Sequence, residues 1–155
     1  MKSSPWYQKY SYLVFLLFAA VGIYHWIPMI VSPVESTGVL ADFGFPVPDE
    51  LLSVAYGRSF FQFLMRWIGV SAIGGDILTG FIALTAWRRG ERWAWVAFWL
   101  WPIVLFSSYL LYQPGPVKNA PLMFTLLLVI TLVANTTRFF GTSRSAESLV
   151  ASPQN

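Results

Sequence analysis

The sequence predicts an all-α, polytopic membrane protein with four transmembrane helices packed as a bundle. Three observations lead there. Hydrophobic residues make up 56% of the 155-residue chain and charged residues only 11%, where a soluble domain carries about 25% charged residues. So few charges cannot cover a globule with a solvated surface, and the mean hydropathy of +0.58 agrees. Four apolar runs recur, each of about twenty residues or more, enough to cross roughly 30 Å of hydrocarbon as a helix. Most basic residues cluster beside these runs or at their ends, as topology control requires.

The formal net charge is +3. In a soluble protein that balance would suggest nucleic acid. Here the basic residues border apolar runs, so the expected partners are the lipid bilayer and another membrane protein or a second copy, not nucleic acid. Cysteine is absent, which excludes disulfides, thiolate nucleophiles and Cys-ligated metals. No cofactor or metal is expected.

The first span is expected over about 10–31, preceded by Lys2 and Lys9. A signal peptide has the same basic start and apolar core. The run is long for that role and no small-x-small cleavage site follows, so a retained span is expected. Trp6, Tyr7, Tyr10 and Tyr12 suit one interface, and Tyr24 and Trp26 the other.

Residues 32–59 read as a long outer loop. Pro33, Pro46 and Pro48 break any long helix, and Glu35, Asp42, Asp49 and Glu50 make it acidic. Pro48-Asp49-Glu50 resembles a helix start, with Pro in the first turn and acids at the positive end of the dipole. A short interfacial helix over 48–56 is expected, separated from the next span by Gly57.

The second span is expected over 60–87. Ser71, Gly75, Thr79 and Ala83 recur every four residues and form a stripe of small side chains, with Gly69, Gly74 and Gly80 adding small surface. Membrane helices associate closely through such stripes, and ordinary bundle packing accounts for this one. Arg88, Arg89, Glu91 and Arg92 form a turn in which Gly90 permits a tight reversal.

The third span, 93–112, contains Pro102, which should kink it and free the Phe98 carbonyl. Trp87, Trp93 and Trp95 suit an interfacial belt. Trp99 and Trp101 lie deeper, where they pack inside the bundle or hydrogen-bond through the indole N–H. Residues 113–119 (QPGPVKN) read as a turn. The fourth span is expected over 121–140. The polar, Ser-rich tail 141–155 is expected to be disordered, leaving residues 1–140 as one transmembrane domain.

Lys2, Lys9, Arg88, Arg89, Arg92, Arg138 and Arg144 fall on one side of this arrangement; Arg58, Arg66 and Lys118 fall on or near the other. Seven of the ten basic residues thus place both termini and the Arg-rich turn in the cytoplasm. The turn Arg88-Arg89-Gly90-Glu91-Arg92-Trp93-Ala94-Trp95 resembles one in small, uncharacterised four-span bacterial membrane proteins. The resemblance covers the second and third spans. It implies a four-helix bundle in a bacterial cytoplasmic membrane and brings no activity with it.

Asp76 is the sharpest candidate for function. It lies about 16 Å from the cytoplasmic end of its span, near the bilayer middle, where a carboxylate costs roughly 2.5–3.5 kcal/mol. Such residues face the bundle interior and are functional candidates; the plainer reading is a hydrogen-bonded structural Asp, with Thr79, Thr131 and Trp101 as partners. Arg66 either snorkels outward or pairs with a loop acid. His25, the only histidine, is expected at a depth close to Arg66. It suits a proton relay, a ligand role or a packing role, but one His without Cys makes no metal signature. Asn135 suits a hydrogen bond across helices. No phosphate loop, metalloprotease helix or nucleophile elbow is present.

Three function classes remain: a non-catalytic accessory or assembly protein, expected first; a proton-linked or small-molecule carrier or sensor using Asp76; and a lipid-modifying enzyme using His25 and the outer-loop acids.

Overall fold

The computed structural model describes residues 5–42, 46–111 and 119–141. All regular structure within them is helical. Four stretches are long and apolar enough to span a membrane: Trp6–Val31, Ala55–Trp87, Arg92–Leu111 and Ala120–Phe140. The protein is an all-α, four-helix, multi-pass membrane protein.

The first span is built from α1 (Trp6–Tyr10) and α2 (Tyr12–Val31), joined at Ser11, which keeps helical backbone angles. The loop that follows is more structured than its prolines suggest. It holds α3 (Thr37–Asp42) and α4 (Asp49–Ser53), the latter opening at Pro48 with Asp49 and Glu50 in its first turn. The acids stabilise that end by meeting its unpaired N–H groups.

Helix α5 (Ala55–Ile82) starts five residues before the expected position, and the break from α4 falls at Val54, whose backbone is extended. Gly57 is therefore not a separator. It lies inside α5 and is buried, and a side chain there would strike the Leu51 carbonyl. The absence of a Cβ lets the end of α4 fold back on α5. Residues 83–87 continue the span as a single π turn, Ala83–Trp87. From Ala55 to Trp87 the span measures about 50 Å at 1.5 Å per residue, more than the hydrocarbon thickness. The span must tilt or extend beyond the bilayer.

At the turn, Gly90 takes φ +75°, the left-handed region that favours glycine. The third span is broken as Pro102 requires. Helix α6 (Arg92–Phe98) ends at Trp99 and α7 (Leu100–Leu111) follows. Helix α8 (Ala120–Phe140) begins with Pro121 in its first turn, where the missing N–H costs nothing. The expected turn over 113–119 lies outside the described residues apart from Asn119, and the expected disordered tail lies outside them apart from Gly141.

Helices α2 and α5 run antiparallel and form the most extensive helix pair; α7 packs along α8. Facing pairs fix the first register: Leu16 with Gly80, Gly22 with Asp76, and Ile30 with Gly69. The main core lies toward the Arg-rich end. There Trp87 is fully buried against Phe15, Phe98 and Phe139, with ring centroids 4.7, 5.4 and 4.6 Å away. Phe15 stacks on Phe98 at 4.0 Å. A smaller core of Met29, Phe61 and Met65 lies toward the other end.

A polar knot ties three spans together beside the main core. The Trp87 indole N–H donates to Ser11 Oγ at 2.9 Å, and Ser11 Oγ lies 3.0 Å from both Asn135 Oδ1 and the Gln8 carbonyl. Asn135 Nδ2 donates to the Thr131 carbonyl at 2.8 Å. Gln8 Nε2 reaches Thr137 Oγ1 at 3.0 Å. Ser11, Asn135 and Gln8 are all buried, so each bond removes a polar group that would otherwise be stranded away from water.

Candidate functional site

Asp76 lies on the face of α5 that meets α2, and only 3% of its surface is exposed. Its carboxyl lies against the backbone of Gly22. A Cβ at position 22 would sit 2.7 Å from Asp76 Cγ and overlap the carboxyl oxygens. The glycine therefore makes the pocket that the carboxyl fills. Asp76 Oδ2 has no hydrogen-bond partner among the described residues.

The expected partners are engaged elsewhere. Thr79 Oγ1 donates to the Gly75 carbonyl at 2.9 Å and accepts the Trp101 indole N–H at 2.8 Å. Its single hydroxyl proton is committed, so it has none for Asp76. Thr131 donates to the Leu127 carbonyl at 2.8 Å. The physical reason is local. A Thr in a helix finds the carbonyl one turn back without any tertiary arrangement, and Trp101 then takes the exposed lone pair.

The small stripe faces two ways, because a four-residue step rotates about 40° per repeat on a helix of 3.6 residues per turn. Ser71 is exposed, Gly75 packs on the Trp101 ring, Thr79 bonds the same indole, and Ala83 is fully buried in the main core. Close backbone approach occurs instead on the neighbouring face. Gly22 admits Asp76, and Gly69 admits Ile30, with the Trp26 carbonyl 3.4 Å from where its Cβ would be.

Arg66 is exposed, and among the described residues it forms no ion pair. Its Nε donates to the Ile30 carbonyl at 3.3 Å, near the C-terminal end of α2, where carbonyls lack helical partners. His25 is not level with Arg66. The α2–α5 register sets Arg66 beside Ile30, five residues beyond His25, or about 7.5 Å along the helix. His25 lies one turn from Gly22 and is half-buried, its ring edge-on to Trp26 at 5.3 Å. It also lies six residues, about 9 Å, inside the end of α2, whereas Glu35, Asp49 and Glu50 are exposed beyond that end. Among the described residues, no three His, Asp or Glu side chains converge as a metal site would need.

Sequence reasoning found Asp76 and Asn135 but missed Gly22, Ser11 and Gln8. Nothing local marks them. A glycine in an apolar helix and two polar residues at a helix start gain meaning only from what faces them.

The fold and the buried carboxyl define a class: small multi-pass helical membrane proteins with one intramembrane acid. No protein-family model matches the chain, and no curated protein or solved structure does so at significant similarity.

Proposed function

We propose that the protein is non-catalytic and works in the bilayer as a proton-linked carrier or sensor, with Asp76 as its working group. One observation supports this: a carboxyl oxygen buried between two spans with no hydrogen-bond partner among the described residues. As a neutral acid the group fits the pocket against Gly22. As a carboxylate it would be an uncompensated buried charge, worth several kcal/mol of destabilisation. Removing the proton must therefore admit water, bring in a cation or separate α2 from α5. Any of these couples protonation to the packing of the two spans. His25 lies one turn away from Gly22 on α2. On the excess of Lys and Arg, the Arg-rich end lies in the cytoplasm, and the resemblance of the turn suggests a bacterial cytoplasmic membrane.

Asp76→Asn keeps shape and hydrogen-bonding capacity and removes only the ionisable group. In liposomes, wild-type protein should carry a proton flux that falls at least about tenfold in the variant. The infrared band of a protonated carboxylic acid should change with pH in wild type and be absent in the variant. Normal flux in Asp76→Asn, with no titrating acid band in wild type, would overturn the reading.

A second reading, an accessory protein that binds another membrane protein, draws on the outer half of α5. Half-buried Gln62 and exposed Ser59 and Arg66 share a face there with Phe63 and Trp67. Polar side chains on the outside of a span gain most from a partner helix. Constant copurification of one membrane protein in mild detergent, lost in Gln62→Leu, would favour it.

A further inference from the structure

A second feature lies at the opposite end of the bundle from Arg66 and goes beyond the Asp76 reading. Lys9, Tyr10, Tyr12, Arg88 and Arg138 line a cavity of about 320 Å³. Lys9 lies in the first turns of the first span, Arg88 directly follows the second, and Arg138 lies in the last turn of the fourth. The cavity thus sits where the spans end, at headgroup depth. Among the described residues, three cations and two phenols line it, and no acid does. Among the described residues the ion pair is elsewhere, between Arg89 and Glu91 at 3.6 Å.

The cations are held before any ligand arrives. Arg138 donates through Nη1 to the Gln8 carbonyl at 2.6 Å and through Nη2 to the Arg88 carbonyl at 2.8 Å. Those bonds fix its plane and leave three of its five N–H groups for another acceptor. The Arg88 guanidinium lies 5.2 Å from the centre of the Tyr12 ring, and Lys9 Nζ 5.4 Å from that of Tyr10. Positioned guanidinium donors suit a multiply charged oxyanion, which accepts several bonds at once. Trp6, Tyr7 and Tyr10 stand exposed beside the site, as side chains do where headgroups meet acyl chains.

We propose that this cavity binds the phosphate of an anionic phospholipid. Basic pockets between spans at a membrane surface suit such headgroups, and a cluster of three cations gains from an anion in place of water.

The test uses the whole protein in lipid nanodiscs of mixed phosphatidylglycerol and phosphatidylcholine, with retained lipid measured by native mass spectrometry. Wild type should retain phosphatidylglycerol in preference, and that preference should fall with added salt. Lys9→Gln combined with Arg88→Gln removes two cations and spares Arg138, whose carbonyl bonds help hold the fold. The preference should drop by about 20-fold or more, at roughly fivefold per cation. Arg89→Gln, at the same end but outside the cavity, should leave it unchanged. Lys9→Gln alone, at an exposed position, should give an intermediate loss and guards against misfolding of the double variant. Equal preference in wild type and the variants would overturn the proposal. Displacement of the lipid by millimolar inorganic phosphate would assign the site to a soluble anion and overturn the lipid.

Discussion

At the scale of single residues, one hydrogen atom in place of a side chain at position 22 lets the first and second spans touch. The Asp76 carboxyl occupies the volume where a Cβ would be. Gly22→Ala should therefore destabilise the protein by about 1–3 kcal/mol through overpacking, despite the better helix propensity of Ala. Gly74→Ala is the matched control. Its Cβ would meet nothing within 4 Å, so stability should hold or rise by up to about 1 kcal/mol. Thermal unfolding in detergent distinguishes them, and equal effects would remove the proposed contact. Asp76 was legible in the sequence because a charge inside an apolar run is expensive wherever it points. Gly22 was not, because the run around it fits any helix, and its importance comes from the register of α2 on α5.

At the scale of elements, the joins matter more than the spans. The four spans could be read from hydropathy, and the break in the third from Pro102, since a missing N–H acts locally. The start of α5 could not. A glycine is the usual suspect for a break, yet Gly57 stays helical, its missing Cβ leaving room for Leu51, and Val54 turns the chain instead. The knot at Ser11 is a join of another kind, reaching from the first span to the second and fourth. Ser11→Ala would leave the Trp87 indole N–H and Asn135 Oδ1 without this partner. It should cost about 1–3 kcal/mol, the usual penalty for stranding buried polar groups. Ser108→Ala, which removes only a bond to the Val104 carbonyl of its own helix, should cost less than about 0.5 kcal/mol. Chemical denaturation of both variants, followed by tryptophan fluorescence, gives the comparison.

At the scale of the whole molecule, orientation follows from charge rather than packing, because the same bundle packs equally well either way up. The absence of cysteine makes the direction measurable with single replacements at exposed positions. Glu35→Cys should react with a membrane-impermeant thiol reagent in intact cells, and Arg89→Cys only after permeabilisation. The reverse pattern would invert the topology and place the basic cavity outside. Which side chains come together at each end was beyond the sequence. Lys9, Arg88 and Arg138 are far apart along the chain and meet only because three spans end at one level.

The π turn at Ala83–Trp87 has a consequence for how this chain can vary. A π turn holds one residue more than the α turn it replaces, so the second span carries a spare position just before its most buried aromatic ring. Leu84, exposed within that turn, is where a lost codon does least harm. The turn would tighten to an ordinary one, and Trp87 would remain close to Phe15. Elsewhere in the span, a lost codon would rotate every later side chain by about 100° and turn the Trp87 ring out toward lipid. This segment can absorb a change in length as well as a change in sequence.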